Sequence, residues 1–182
     1  MVKLKGINID FDCNKETPYF QATSKQRIRL AIEDLNISLI QTIIGDIFKE
    51  EDKISLIFLS EYYIDNIRRS TRFKIRKITK ITNWHETVVR EEASGNGEVY
   101  VTIKNLNRED ISKYCSAFYK GPTEAYISFF NDEFLLYVSS DVIDIISNDV
   151  RKIENLKQNY SVYLINIMKT VIKITNSKIL DM

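Results

Sequence analysis

Arg68 to Lys80 reads R-R-S-T-R-F-K-I-R-K-I-T-K, seven Lys or Arg in thirteen residues with no acid among them. Cations at this density attract phosphates or acidic protein surfaces. The chain of 182 residues has a formal charge of +1, so the other 169 residues carry −6 between them. The strip is a local positive feature on a mildly acidic body. Arg68, Arg69, Arg72, Lys74, Arg76, Lys77 and Lys80 supply its charge, and Tyr62, Tyr63 and Trp84 flank it. Rings beside Arg can stack on bases while the guanidinium holds phosphate. Arg pairs equally well with carboxylates on a protein, and Tyr and Arg commonly anchor protein interfaces. The bland alternative is a solvated strand face, whose cations discourage edge-to-edge association.

Asp10-Phe11-Asp12 puts two carboxylates on one face at the end of an expected strand, where they can hold Mg²⁺ against a substrate phosphate. This patch resembles the first motif of the haloacid-dehalogenase phosphatases, an apolar strand ending in Asp-x-Asp. The resemblance implies that Ser60, after the apolar run Ile54 to Leu59, supplies the second motif's hydroxyl. It also implies that Asp141 and Asp144 form the acidic last motif. Cys13-Asn14 stands where that family has a small residue and Thr, and the chain lacks the strand–helix alternation of a parallel sheet. Read by themselves, Asp10 and Asp12 are the solvent face of an edge strand. His85 is the only histidine, and the adjacent Glu86 points the other way on a strand and cannot orient it. One His and two scattered Cys do not make the four spaced ligands of a zinc site. No cofactor and no metal are expected.

The elements that must position these residues follow from patterning. Leu4 to Asp12 alternates as a first strand. Thr23-Ser24-Lys25-Gln26 has the pattern of a capping box, followed at helical spacing by Ile28, Ala31, Ile32, Leu35 and Leu39. That helix either continues through Ile43 and Ile47 or breaks near Asn36. Ile54 to Leu59 is a short apolar run, hence a buried strand. Tyr62 to Arg69 is expected to be a helical turn or two, and Phe73 and Ile75 alternate with Lys74 and Arg76 as a strand. Glu86–Glu92 and Val99–Lys104 flank Ser94-Gly95-Asn96-Gly97, a hairpin signal. Asn107 caps a helix with Glu109 and Asp110 in its first turn and Ile111, Tyr114, Cys115 and Phe118 along one face. Gly121-Pro122 ends it. Ala125–Phe130 and Phe134–Ser139 form a second hairpin, apolar on both faces. Asp141 is expected to cap a short helix through Ile146. A long helix then runs from Asn148 or Asp149 to about Ile174, with the stripe Ile153, Leu156, Tyr160, Tyr163, Ile167, Val171, Ile174. About 26 residues at 1.5 Å each span ~39 Å, more than most small sheets, so its second half overhangs and can seat a second copy of the chain.

The expected architecture is a single α+β domain over residues 1–182. Its mainly antiparallel sheet packs against helices, including the long amphipathic C-terminal one. Met1 to Asp12 lacks the apolar region of a secretory leader, and no run reaches the ~18 apolar residues of a membrane span. Cys13 and Cys115 read as free thiols of a reducing cytoplasm. These features predict a non-enzymatic cytoplasmic protein-binding module. Its most concrete form is a bacterial immunity or antitoxin-type inhibitor that recognises an acidic surface of a partner. The alternatives are a nucleic-acid-binding protein or nuclease using residues 68–80, and a Mg²⁺-dependent phosphatase using Asp10 and Asp12.

Overall fold

A computed structural model describes residues 1–4, 6–71, 83–119 and 126–165. The chain opens with a small hairpin, β1 (Val2–Leu4) and β2 (Ile9–Phe11), in place of one continuous first strand. The turn between them holds Asn8 at φ 57°, with the Ile7 and Asn8 amides donating to the Leu4 carbonyl. One helical turn, α1 (Pro18–Gln21), follows, and then β3 (Arg27–Ala31). After a 3-10 turn at Ile32–Asp34 comes α2 (Ile37–Ile47). Five strands continue the chain: β4 (Ile54–Ile64), β5 (Ile67–Ser70), β6 (His85–Glu91), β7 (Asn96–Leu106) and, after α3 (Arg108–Tyr119), β8 (Ile127–Phe130). The described part closes with β9 (Phe134–Val138), β10 (Val142–Ser147) and α4 (Val150–Asn159).

Among the described residues, eight strands form one sheet in the order β3-β10-β9-β8-β4-β7-β6, with β5 lying beside the far end of β4. Every ladder is antiparallel, so the expected α+β class and mainly antiparallel sheet hold. Alternate strand residues sort into two cores. Leu56, Phe58, Val101, Ile103, Phe129 and Ile145 pack with Ile43 and Ile44 of α2, Ile111 and Tyr114 of α3, and Ile153 and Leu156 of α4. On the opposite face Ile57, Tyr100, Leu135, Tyr137 and Ile146 pack with Leu4, Ile7, Ile9 and Phe11 of the small hairpin. The sheet is the middle of three layers.

Four further expectations are corrected. Residues 23–31 are not helical: Thr23 and Gln26 close a turn, the Gln26 amide donating to the Thr23 carbonyl at 2.9 Å. Arg27-Ile28-Arg29-Leu30 then alternates as β3, with Ile28 and Leu30 in the core. The helix break near Asn36 is the alternative realised, and the Asn36 side chain accepts from the Leu39 amide to start α2. Tyr62 to Arg69 is a hairpin, because Asp65 and Asn66 sit at φ 50° and 63° and turn β4 into β5. Those two residues tolerate the left-handed region a tight hairpin demands. Asp141 caps no helix. It lies in the β9–β10 turn, where the Ser139 hydroxyl accepts from the Val142 amide, and β-branched Val142, Ile143, Ile145 and Ile146 continue as a strand.

The fourth correction concerns the end of the chain. The last helix among the described residues stops at Asn159. Tyr160 leaves helical geometry at φ −114°, ψ 23°, a 3-10 turn covers Ser161–Tyr163, and Leu164 bridges to Leu30 of β3. The Ile165 amide donates to the Arg29 carbonyl at 3.0 Å. The free edge of β3 thus captures the backbone that the helical stripe seemed to extend. Ile153, Leu156 and Tyr160 are buried as expected of the first half of the stripe. Ile167, Val171 and Ile174, and with them the expected overhang and its second copy, lie outside the described residues, as does the Phe118 side chain. No helix among the described residues is long and apolar enough to cross a membrane.

Tyr160 ties the end of α4 to α2: its ring is in the core and its hydroxyl donates to Asp46 Oδ2 at 2.6 Å. Tyr160→Ala should cost about 2–5 kcal/mol through lost burial and a cavity. Tyr160→Phe, which keeps the ring, should cost about 0.5–1.5 kcal/mol. Urea melts of the two variants check the ordering. Equal costs would mean that the hydrogen bond, and not the ring, holds this end of the helix.

Candidate functional site

The described candidate residues cluster where two hairpins stand side by side at one end of the sheet. β4 is unusually long, and a register shift between Leu59 and Glu61 puts Ser60 in a bulge. Its carbonyl accepts from the Thr71 amide and hydroxyl, at 3.0 and 2.9 Å. The bulge changes which residues share a face. Phe58 opposes Val101 and Glu61 opposes Val99, so Glu61 and Tyr63 continue the helix-layer face while Tyr62 turns to the other.

The tips of the two hairpins are pinned together. The Asn66 amide donates to the Gly95 carbonyl at 2.9 Å, and the Asp65 amide to Asn96 Oδ1 at 3.3 Å. Gly95 lies at φ +68°, and a Cβ there would meet the Asn66 side chain. Behind this contact Tyr63 and Arg90 both lie opposite Gly97, on either side of β7. Having no side chain at Gly97 lets the Arg90 guanidinium pass to 3.8 Å from the centre of the Tyr63 ring.

Arg68 is already engaged within the chain. It pairs with Glu61 beside it and reaches over β4 and β7 to Glu86, its Nη2 3.0 Å from Oε2. Trp84 Nε1 donates to the other Glu86 oxygen at 3.0 Å. That hydrogen bond first, and Arg68 second, hold the Glu86 carboxyl below its ordinary range. Trp84 is half-buried and meets Phe58 edge-on, ring centres 5.8 Å apart, so it packs on the core and offers little face for stacking. Sequence reasoning missed Glu61 and Glu86. The only local signal was that Trp84 and Glu86, two apart on a strand, share a face.

Arg69, opposite Tyr62 in the β4–β5 ladder, is exposed and has no acidic partner among the described residues. Arg72, Lys74, Arg76, Lys77 and Lys80 lie outside the described residues. The structure therefore brings Tyr62, Tyr63, Arg68 and Arg69 together, places Trp84 beside them, and takes Arg68 out of the free positive charge.

The carboxylates of the phosphatase reading fall into separate settings. The Asp10 backbone is held by Gln21, its amide donating to Oε1 at 2.9 Å. Asp12 is buried and accepts from the Asn14 amide. Asp144 is fully buried and pairs through both oxygens with Arg29, at 2.6 and 2.8 Å. Asp141 lies in the β9–β10 turn and Ser60 in the β4 bulge. No group of three or more His, Cys, Asp or Glu among the described residues is placed to hold a metal ion. The sheet is antiparallel, where the resemblance implied a parallel one. His85 is exposed at the start of β6. Both thiols are unpaired with one another; burial pushes the Cys13 thiol up and the Cys115 thiol to about 12.

The chain matches no protein-family model, no curated protein and no solved structure.

Gly97 is the tightest point of this end of the sheet. A Cβ there would collide with the Val89 carbonyl oxygen and press within 3.1 Å of Arg90 Cα. Gly97→Ala should therefore cost about 1–3 kcal/mol by overpacking. A thermal melt within experimental error of the parent would show that the β6–β7 pair can yield at no cost.

Proposed function

We propose that this protein is a non-enzymatic protein-binding module, of the kind a bacterial immunity protein or antitoxin represents. Its contact surface is the β4–β5 hairpin. The observation that carries the reading is the exposed apolar pair at the hairpin tip, Ile64 at 44% and Ile67 at 57% relative exposure. They are cross-strand partners around the Asp65-Asn66 turn. Two large aliphatic side chains held in water at a projecting tip favour burial against another surface. The pinning to Gly95 supports the reading further, since a preformed tip spends little conformational entropy on binding.

The chemistry beside the tip suggests the partner's character. Tyr62 is a rigid amphipathic anchor, and Arg69 is a cation aimed away from the Glu61–Arg68–Glu86 cluster. A complementary surface has an apolar socket with an acid at its margin, so the expected acidic partner surface is narrowed to a pocket with an acidic rim.

The test begins with the full chain as bait in its source cells and quantitative mass spectrometry to name a stoichiometric partner. Calorimetry with that purified partner follows. Ile64→Asp with Ile67→Asp should weaken binding at least 100-fold and leave the melt nearly unchanged, since exposed changes cost about 0.5 kcal/mol or less each. Unchanged affinity would remove the hairpin tip from the account. Tight oligonucleotide binding that falls steeply with salt, in place of a protein partner, would instead favour a nucleic-acid role for residues 68–80.

A further inference from the structure

The two ends of the sheet are finished differently. At one end β3 is partly closed by the chain's own backbone, through the Leu164 bridge and the Ile165 amide. At the other end β6 pairs, among the described residues, with β7 alone. Among the described residues nothing pairs with its outer side, whose row of backbone donors and acceptors is then a template for another strand. Of the usual defences β6 has charge, in Glu86, Arg90 and Glu91, but not a short length, a proline or a bulge. β6 is seven residues long, contains no proline, and keeps register with β7 from His85 to Glu91 without a bulge. Its central residue, Val88, is apolar and 47% exposed.

We propose that two copies of this chain join edge to edge through β6, antiparallel about a two-fold axis at Val88, so that one sheet runs through both copies. The residue order is self-complementary in that register. Val88 faces the second copy's Val88 and Thr87 faces Val89. Glu86 faces Arg90, and His85 faces Glu91. Each acid meets a base or a histidine, and no like charges oppose. Neighbouring registers lack this property. Centring on Val89 sets Glu86 against Glu92, and centring on Thr87 sets Glu86 against Val88. Opposed charges across a ladder stabilise and like charges destabilise, so the Val88 register is selected. It also satisfies the backbone whichever set of residues points outward. If Glu86, Val88 and Arg90 do, they exchange hydrogen bonds with Arg90, Val88 and Glu86 of the second copy. If the odd residues do, Thr87 and Val89 exchange them.

The charged members also hold their own copy together, each directed over β7. Glu86 is held by Trp84 and Arg68, and Arg90 lies on Tyr63. A planar guanidinium and a carboxylate both keep donors or acceptors beyond those contacts. The inference goes beyond the proposed partner surface and uses a different strand, so both can be engaged at once.

The register makes the test specific. Directly opposed residues in an antiparallel pair have Cα atoms about 4.5 or 5.5 Å apart, within the roughly 4.4–6.8 Å that a disulfide spans. Val88→Cys, held in a glutathione redox buffer, should form a covalent dimer much faster than Val162→Cys, a control at an 82% exposed position. Thr87→Cys and Val89→Cys should cross-link poorly alone and well when mixed. The unsubstituted chain, with Cys13 and Cys115, sets the baseline. Sedimentation equilibrium of the unsubstituted chain should show a monomer–dimer equilibrium, and Arg90→Glu should shift it at least tenfold toward monomer. A folded Val88→Cys chain that cross-links no faster than the Val162→Cys control would overturn the proposal, as would a monomer throughout the concentration series.

Discussion

Phe134–Val138 is buried along its whole length and has no polar residue but Tyr137, so a sheet with this strand near its middle cannot leave either face in water. Burial of apolar area is worth about 25 cal/mol per Å², and here it has to be obtained on two sides. The helices supply one side. The other falls to the first eleven residues, which fold back as β1 and β2 and place Ile9 and Phe11 over Tyr100, Leu135 and Tyr137. Where the hairpin runs out, beside β3 and β10, the sheet changes its method. Asp144 and Arg29 lie directly opposite one another, and α1 sets Tyr19 over them with both Arg27 and Arg29 4.0 Å from its ring centre. Burial pushes the Asp144 carboxyl up, and the bidentate Arg29 pulls it back. A buried pair of this kind adds little net stability, but removing either member leaves an unpaired charge at a cost of about 3–5 kcal/mol. It therefore locks the register of β3 on β10 more than it strengthens the sheet.

The same demand for covering explains where the candidate surface lies. Beyond the Ser60 bulge the sheet outruns both layers: β5 is exposed throughout, β6 carries exposed residues on both faces, and Glu61, Tyr62 and Tyr63 of β4 are only half-buried. Such an overhang has to be stabilised by its own cross-strand contacts. Arg68 with Glu61 and Glu86, Arg90 on Tyr63, and Asn66 on Gly95 do this. Charges and rings that looked available for a partner are spent partly on holding two hairpins together, and what projects beyond them is the aliphatic tip.

Much of the fold was legible where the signals were local. α3 carried its cap, its first-turn acids and its stripe within a dozen residues, and the β8–β9 and β6–β7 hairpins announced themselves by apolar runs around a turn. The misreadings share a cause. Ile28, Leu30, Ile32 and Leu35 satisfy the strand period over one part and the helix period over another, and the strand is realised in the ladder with β10, where Arg29 lies opposite Asp144, 115 residues away. The stripe of α4 continues past Tyr160 in the sequence, but the backbone leaves the helix there and Leu164 and Ile165 bond to the edge of β3. At the candidate site the cations were visible as a run, whereas Glu61 and Glu86 were not, because a bulge of one residue decides that they face Arg68.

The central claim is that the N-terminal hairpin is part of the cooperative core, since without it one apolar face of the sheet is bare. Native-state hydrogen exchange at peptide resolution, in increasing denaturant, tests this directly. The Ile9–Phe11 amides and the Phe134–Val138 amides should merge into one isotherm at the free energy of global unfolding. Exchange of Ile9–Phe11 through a low-energy local opening, while Phe134–Val138 stays protected, would contradict it.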